Sequence, residues 1–261
     1  MSNYAPAAEA AIQVIEFMAE EKAAVGITDI CQGTGLNSNM VFRILNTLER
    51  SGWIYDVNRK YALTLRPFRY ASTALMHTTL QSAALSPLQT LWNTVGESTY
   101  LGVLDGDRVL YTQHLDGRGD VRVAGRVGGR YNLHSSAPGK ILLAHADPAV
   151  ITAYCATQLT MRTPNTITDP DAMQEELHWI REHGYALDRE EYGKGIVCVA
   201  GPVYDAAETV IASIGCSAYM VDDMETIFAR LLPPIWQACR DTSLCLGYTG
   251  SAFASIEHHT V

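Results

Sequence analysis

The chain has 261 residues, 48% hydrophobic and 18% charged, which argues against extensive disorder and suits two domains better than one. No apolar run approaches the ~18 residues of a membrane span, and the first residues lack the basic segment and apolar core of a secretory signal, so a cytoplasmic protein is expected. The formal net charge is −9, yet residues 37–70 carry Arg43, Arg50, Arg59, Lys60, Arg66 and Arg69 against only Glu49 and Asp56. That local cationic excess can meet phosphates even on an acidic protein, because salt screens the remaining charge.

In chain order, Ala8, Ala11, Ile12, Ile15 and Ala19 recur at helical spacing, with Glu9, Glu16 and Glu20 on the other side, and Gly26 breaks the helix. Thr28 is expected to cap a short second helix running through Gln32, followed by a tight turn at Gly33-Thr34-Gly35-Leu36. Asn37 or Ser38 caps a third helix to about Ser51, where Gly52 ends it. Its apolar stripe is Met40, Val41, Ile44, Leu45 and Leu48, and its opposite face carries Asn39, Phe42, Arg43 and Asn46. Helix, short helix, glycine turn and capped helix make a helix-turn-helix, whose last helix can enter a major groove. Trp53-Ile54-Tyr55 and Tyr61-Ala62-Leu63 read as strands around a polar turn tipped by Arg59 and Lys60, a wing.

Residues 68–95 read as helical in two pieces separated near Ser86-Pro87, the first a linker helix. Beyond Gly96, Ser98–Leu104 and Arg108–His114 flank Asp105-Gly106-Asp107, a hairpin signal, and Val121–Val127 reads as a further strand. Ser136-Ala137-Pro138 starts a helix through Leu143, with serine as cap and proline in the first turn. Helices are expected near 148–157 and 170–183, strands at 185–188, 197–204 and 209–218, and a last helix at about 222–246. The fold class is α+β, with a central antiparallel sheet flanked by helices. The expected division is a DNA-binding domain at 1–66, a linker helix at 67–80, a second domain at 81–250 and a flexible tail at 251–261 that includes His258-His259.

Two stretches resemble a known family. His134-Ser135-Ser136-Ala137-Pro138-Gly139-Lys140-Ile141-Leu142-Leu143-Ala144 is similar to the H-x-[ST]-x-x-G-K-x-x-L-A motif of the isocitrate lyase regulator (IclR) family. The segment from Gly184 to Asp205, with Asp188, Gly195, Cys198 and Gly201-Pro202, resembles its other signature, and residues 28–52 resemble its DNA-recognition unit. The resemblance covers roughly residues 8–246. It implies a GAF-like sensor domain behind a winged helix-turn-helix, a homodimer or homotetramer on a palindromic double-stranded operator, a small-molecule effector, and neither catalysis nor a cofactor. Whether such a chain represses or activates does not follow.

The candidate DNA contacts are Thr28, Asn39, Phe42, Arg43 and Asn46, with Asn37 and Ser38 at the phosphate-facing helix start and Arg59 and Lys60 on backbone or minor groove. Carried over by motif, the effector pocket takes Ala137, Pro138, Asp188, Ile196, Cys198, Gly215 and Ser217. A helix N-terminus at residues 136–138 can receive a carboxylate, although Pro138 removes one donor. Glycine at 215, where relatives with small-acid ligands place serine, favours a bulkier or less anionic ligand. Organic acid, sugar acid, polyol and hydroxylated aromatic all stay open. Against these stand an enzyme, from the triad residue types His134, Ser135 or Ser136, and Asp188, and an architectural DNA-binding protein with no ligand. No G-x-S-x-G elbow supports the first, and Gly139-Lys140 lacks the upstream glycine of a phosphate loop. The six cysteines show no metal-ligand spacing, so no metal is expected.

Overall fold

A computed structural model describes residues 5–21, 23–70, 79–120 and 122–253. The chain divides into two units, Met1–His77 and Thr78–Val261.

The first unit holds α1 (Pro6–Glu20), α2 (Ile27–Thr34), α3 (Ser38–Arg50), β1 (Ile54–Val57) and β2 (Lys60–Leu63). Ala10, Val14 and Met18 recur every fourth residue on α1 and are buried with Ile30 of α2 and Val41, Ile44, Leu45 and Leu48 of α3. The start of α2 differs from expectation. Gly26, not Thr28, is its N-cap: the Gly26 N–H donates to Asp29 Oδ2 at 2.9 Å, and Thr28 lies exposed inside the first turn. The helix also runs on through Gly33 to Thr34, and the Phe17 ring packs on Gly33 with no room for a Cβ. Gly35 (φ 73°) then makes the left-handed C-cap. Asn37 caps α3, its Oδ1 accepting from the Met40 N–H at 3.0 Å. In the wing, Val57 pairs with Lys60 across a two-residue loop whose residues Asn58 and Arg59 both have positive φ (55° and 63°), as a type I′ turn requires. Val25 and Tyr61 exchange backbone hydrogen bonds at 3.0 and 2.8 Å, which ties the α1–α2 connection to the wing. Residues 66–70 are helical, and 71–78 of the expected linker helix lie outside the described residues.

The second unit is built on an antiparallel sheet of order β5-β4-β3-β8-β7-β6. Its strands are β3 (Ser98–Asp105), β4 (Arg108–Leu115), β5 (Arg130–Asn132), β6 (Ala186–Arg189), β7 (Ile196–Tyr204) and β8 (Val210–Tyr219). Its helices are α4 (Thr79–Val95), α5 (Ala137–Ala144), α6 (Pro148–Cys155), α7 (Pro170–His183) and α8 (Met224–Cys245). Period-two alternation sorts the side chains. Leu101, Val197, Val199, Ile214, Cys216 and Ala218 face α4 and α8, while Tyr100, Tyr111, Ala186, Cys198 and Ala200 face α5 and α7.

Two expectations need correction. The helix break at Ser86-Pro87 is absent: α4 runs unbroken with Pro87 inside it. Proline in a helix interior costs about 3 kcal/mol. Leu80, Ala84, Leu88 and Leu91 are buried along one face of α4, and fully burying each leucine returns roughly 1.5–3 kcal/mol. The strand expected at Val121–Val127 is also absent. Residues 122–126 are irregular, and the strand paired with β4 on that side is β5, through Arg108↔Asn132 to Leu110↔Arg130. Within the expected tail, Phe253 is buried beside Trp236 and Tyr248, and 254–261 lie outside the described residues. Among the described residues, no helix is long and apolar enough to cross a membrane.

Candidate functional site

In the first unit, the burial of α3 decides which side chains are free to meet a partner. Val41, Ile44, Leu45 and Leu48 are buried, and the helix leaves Ser38, Asn39, Phe42, Arg43 and Asn46 exposed. Phe42 is 52% exposed, unusual for a phenylalanine with a core stripe one residue away. Arg59 and Lys60 are exposed at the wing tip, where Asp56 Oδ1 accepts the Arg59 N–H at 2.7 Å and fixes the turn. Asn37 is exposed, with its side-chain oxygen engaged as the helix cap. Arg66 is tied differently from the other cations: its guanidinium donates to the Ser51 carbonyl and to Tyr70 Oη (3.2 Å).

In the second unit, register builds the site. Asp188 of β6 pairs with Cys198 of β7, Cys198 with Ser217 of β8, and Ser217 with Ser98 of β3. Partners in register stand on the same face, so these four form one polar row across four strands, about 4.8 Å from strand to strand. The row lines a cleft with about 390 Å³ of atom-free space, part of it open to solvent. Tyr100, Tyr111, Tyr131, Tyr192 and Ile196 also line it, with Ser136, His114 and the segment Val123-Ala124-Gly125. Tyr100 and Tyr111 stack at 4.5 Å, and Tyr111 and Tyr131 lie 4.3 Å apart at 36°. Gly125 packs on the His114 ring so closely that a Cβ would not fit, and the Val123 carbonyl accepts from Ser98 Oγ at 2.7 Å.

Asp188 is fully buried. Its Oδ1 accepts the backbone N–H groups of Glu191 (2.6 Å) and Tyr192 (3.3 Å), and its Oδ2 has no partner. Burial, with the nearby Glu191 charge, pushes its carboxyl up to about 7, while Lys140 and the two backbone donors pull the other way. The Cys198 thiol lies 3.0 Å from Ser217 Oγ, and burial beside Asp188 raises it far above reactivity. Burial lowers the His114 imidazole, partly offset by Asp116. Behind Asp188, Lys140 is fully buried with Nζ 2.7 Å from both Glu176 and Glu191. Burial works against its charge, but the two carboxylates outweigh that and hold Lys140 above its usual range.

The cleft brings together Asp188, Ile196, Cys198 and Ser217 of the residues expected from sequence. Ala137, Pro138 and Gly215 are not among its lining. Gly215 lies under Tyr100: a Cβ there would sit 2.8 Å from the ring and 2.5 Å from the Val199 carbonyl, so glycine admits the tyrosine rather than a ligand. Ser136 is the α5 cap, its Oγ accepting from Gly139 N and donating to the Asn132 carbonyl. The triad types do not converge: His134 bonds Tyr154 Oη (2.8 Å) and the Thr160 carbonyl (3.0 Å), not a serine. The tyrosine walls were missed. Tyr100 is the direct register partner of Gly215, and strand alternation would have placed it on the Ser217 face.

A wing-bearing helix-turn-helix followed by a sheet domain that holds a cleft lined by a buried polar row defines a transcription regulator with a DNA-binding and an effector domain. The model of the IclR helix-turn-helix domain matches residues 7–57, and that of the bacterial transcriptional regulator IclR C-terminal matches residues 72–244. The chain belongs to the IclR family. It is 32% identical to the HTH-type transcriptional regulator XynR of Escherichia coli K12 over 92% of this chain and 96% of that protein. Identity to KdgR of the same organism is 30% over 90% of each chain. These relatives are regulators, not enzymes. An IclR transcriptional regulator from Alicyclobacillus acidocaldarius superposes with a TM-score of 0.81 at 27% identity, covering 94% of this chain and 100% of that one. An IclR homologue from Microbacterium hydrocarbonoxydans, solved with 4-hydroxybenzoate, has a TM-score of 0.79 at 24% identity over 92% and 98% of the two chains.

Proposed function

We propose that the chain binds a palindromic operator in the cytoplasm as a homodimer or homotetramer, and that a small metabolite held in the cleft changes its DNA affinity. The observation that carries the DNA half is the exposed polar face of α3, opposite a stripe fully committed to the core. Asn39, Phe42, Arg43 and Asn46 read base edges, Asn37, Ser38 and Thr28 meet phosphate near the helix starts, and Arg59 and Lys60 follow the backbone or minor groove. Two-fold symmetry then sets half-site centres about 34–36 Å apart or multiples of that. The effector half rests on Asp188, Ile196, Cys198 and Ser217 in one cleft, with Gly215 making room for the Tyr100 ring that walls it.

The test is a gel shift on the promoter beside the gene, across a salt series. Affinity is expected to fall steeply with salt, and a salt-insensitive or absent preference for that promoter defeats the reading. Arg43→Ala is expected to weaken operator binding by about 1–3 kcal/mol, between about fivefold and 150-fold, with the thermal unfolding of the protein unchanged. An Arg43→Ala protein with wild-type operator affinity at fixed salt removes arginine 43 from the base-reading set.

A further inference from the structure

We propose that the cleft selects an uncharged, ring-sized ligand whose hydroxyl or amide N–H donates to Asp188 Oδ2, and disfavours compounds that bring a carboxylate to that end. The proposal rests on the reading of the cleft as the effector site and narrows its ligand to one chemical class.

Three observations carry it. Asp188 lines the cleft; its Oδ1 is occupied by two backbone donors, whereas Oδ2 is buried without a hydrogen-bond partner, the weak donor Cys198 thiol being the side chain that interacts with the carboxylate. A buried acceptor without a donor is costly, and a ligand O–H or N–H relieves that cost directly. Next, none of the described residues lining the cleft is lysine or arginine. Lys140, the cation nearest Asp188 in effect, has both neighbouring carboxylates on its ammonium at 2.7 Å and is committed to them. A ligand carboxylate at the Asp188 end of the row would therefore meet a like charge, with no lysine or arginine there and only the helix start at Ser136, already weakened by Pro138, to offset it. Finally, the walls are tyrosine rings in stacked and tilted contact, surfaces that favour a planar ring.

Proton linkage makes the idea measurable. Glu191 and Tyr192 from the following loop, Lys140 from α5, Cys198 from β7 and Tyr111 from β4 face Asp188. Cys198 and Tyr111 are raised by burial and Lys140 is held charged, so these stay fixed near neutrality while Asp188, at about 7, changes state. A donor ligand prefers the ionised carboxylate, so its affinity rises about tenfold from pH 6 to pH 8. A carboxylate ligand needs the protonated form, and its affinity falls over the same range.

The experiment is isothermal titration of the full-length protein with phenol, benzamide and benzoate, one polar group on the same ring, at pH 6 and pH 8. Phenol and benzamide are expected to bind, about tenfold more tightly at pH 8, with benzoate at least about tenfold weaker than benzamide there. Asp188→Asn is expected to lower benzamide affinity and flatten its pH dependence. Benzoate binding as well as benzamide, affinity for the neutral probes falling with pH, or no binding of either neutral probe overturns the donor rule. Cleft-filling variants Ser217→Phe and Ile196→Trp, checked for a cooperative thermal transition, separate this from failure of the site itself. Probes that bind both variants as well as wild type show that the effector site lies elsewhere.

Discussion

Lys140→Met is expected to destabilise the second unit by about 3–5 kcal/mol, the penalty for removing one partner of a buried ion pair. The lysine is 0% exposed and reaches from α5 to Glu176 on α7 and to Glu191 in the loop after β6. Glu176 keeps a second cation, with Arg189 at 3.6 Å, and is the less buried of the two. Glu191 has none: its Oε1 accepts only from Lys140 and from the Arg189 N–H at 3.3 Å, and its Oε2 is buried without a partner. Removing Lys140 therefore strands Glu191. Lys140→Met combined with Glu191→Met should recover most of the loss, since apolar replacements of a whole buried pair are often close to neutral. Urea unfolding of the three proteins measures this. A single variant within 1 kcal/mol of wild type, or a double variant no better than the single, would show that the triad does not hold these elements together.

The same triad marks where the sequence stopped being readable. Gly139-Lys140 stood out as part of the family motif and as a failed phosphate loop, but the ion pairs of Lys140 were not legible, because its partners lie 36 and 51 residues away and only the packing of α5 against α7 and the loop after β6 unites them. Local signals fared better. The Ser136 cap, the Asp105-Gly106-Asp107 hairpin and the α3 stripe depend on neighbours within a few residues, and each lies where its spacing put it. Pro87 misled because helix propensity is a weak prior, overridden once Leu80, Ala84, Leu88 and Leu91 found a core. Val121–Val127 misled because alternation alone does not make a strand: residues 122–126 are irregular and are held by the Ser98 Oγ bond to the Val123 carbonyl and by Gly125 on the His114 ring. Asp188, Cys198 and Ser217 could be named from motif, yet their meeting in one row, and the tyrosines closing over it, follow from strand register that single segments do not encode.

Asp188→Asn is expected to make the protein more stable at pH 8, by a margin that shrinks towards pH 5. In the folded chain the Asp188 carboxyl titrates at about 7, against ~3.9 in an unfolded chain. Between those values the native state keeps a proton that the unfolded state has lost, so rising pH favours unfolding throughout that window. Above 7 both states are ionised and the deficit is constant. One pK unit is worth 1.36 kcal/mol, so the stability gap between Asp188→Asn and wild type should widen by about 2–3 kcal/mol from pH 5 to pH 8. Titrating groups away from Asp188, including the depressed imidazoles of His134 and His145, are shared by both proteins and cancel in the difference. Asparagine keeps the Oδ1 that accepts from Glu191 and Tyr192, so the local turn survives the exchange. Urea midpoints of both proteins at pH 5, 6, 7 and 8 decide the matter. Parallel curves would mean that Asp188 is ionised throughout, and the cost of holding that buried oxygen ready for a ligand would have to lie elsewhere.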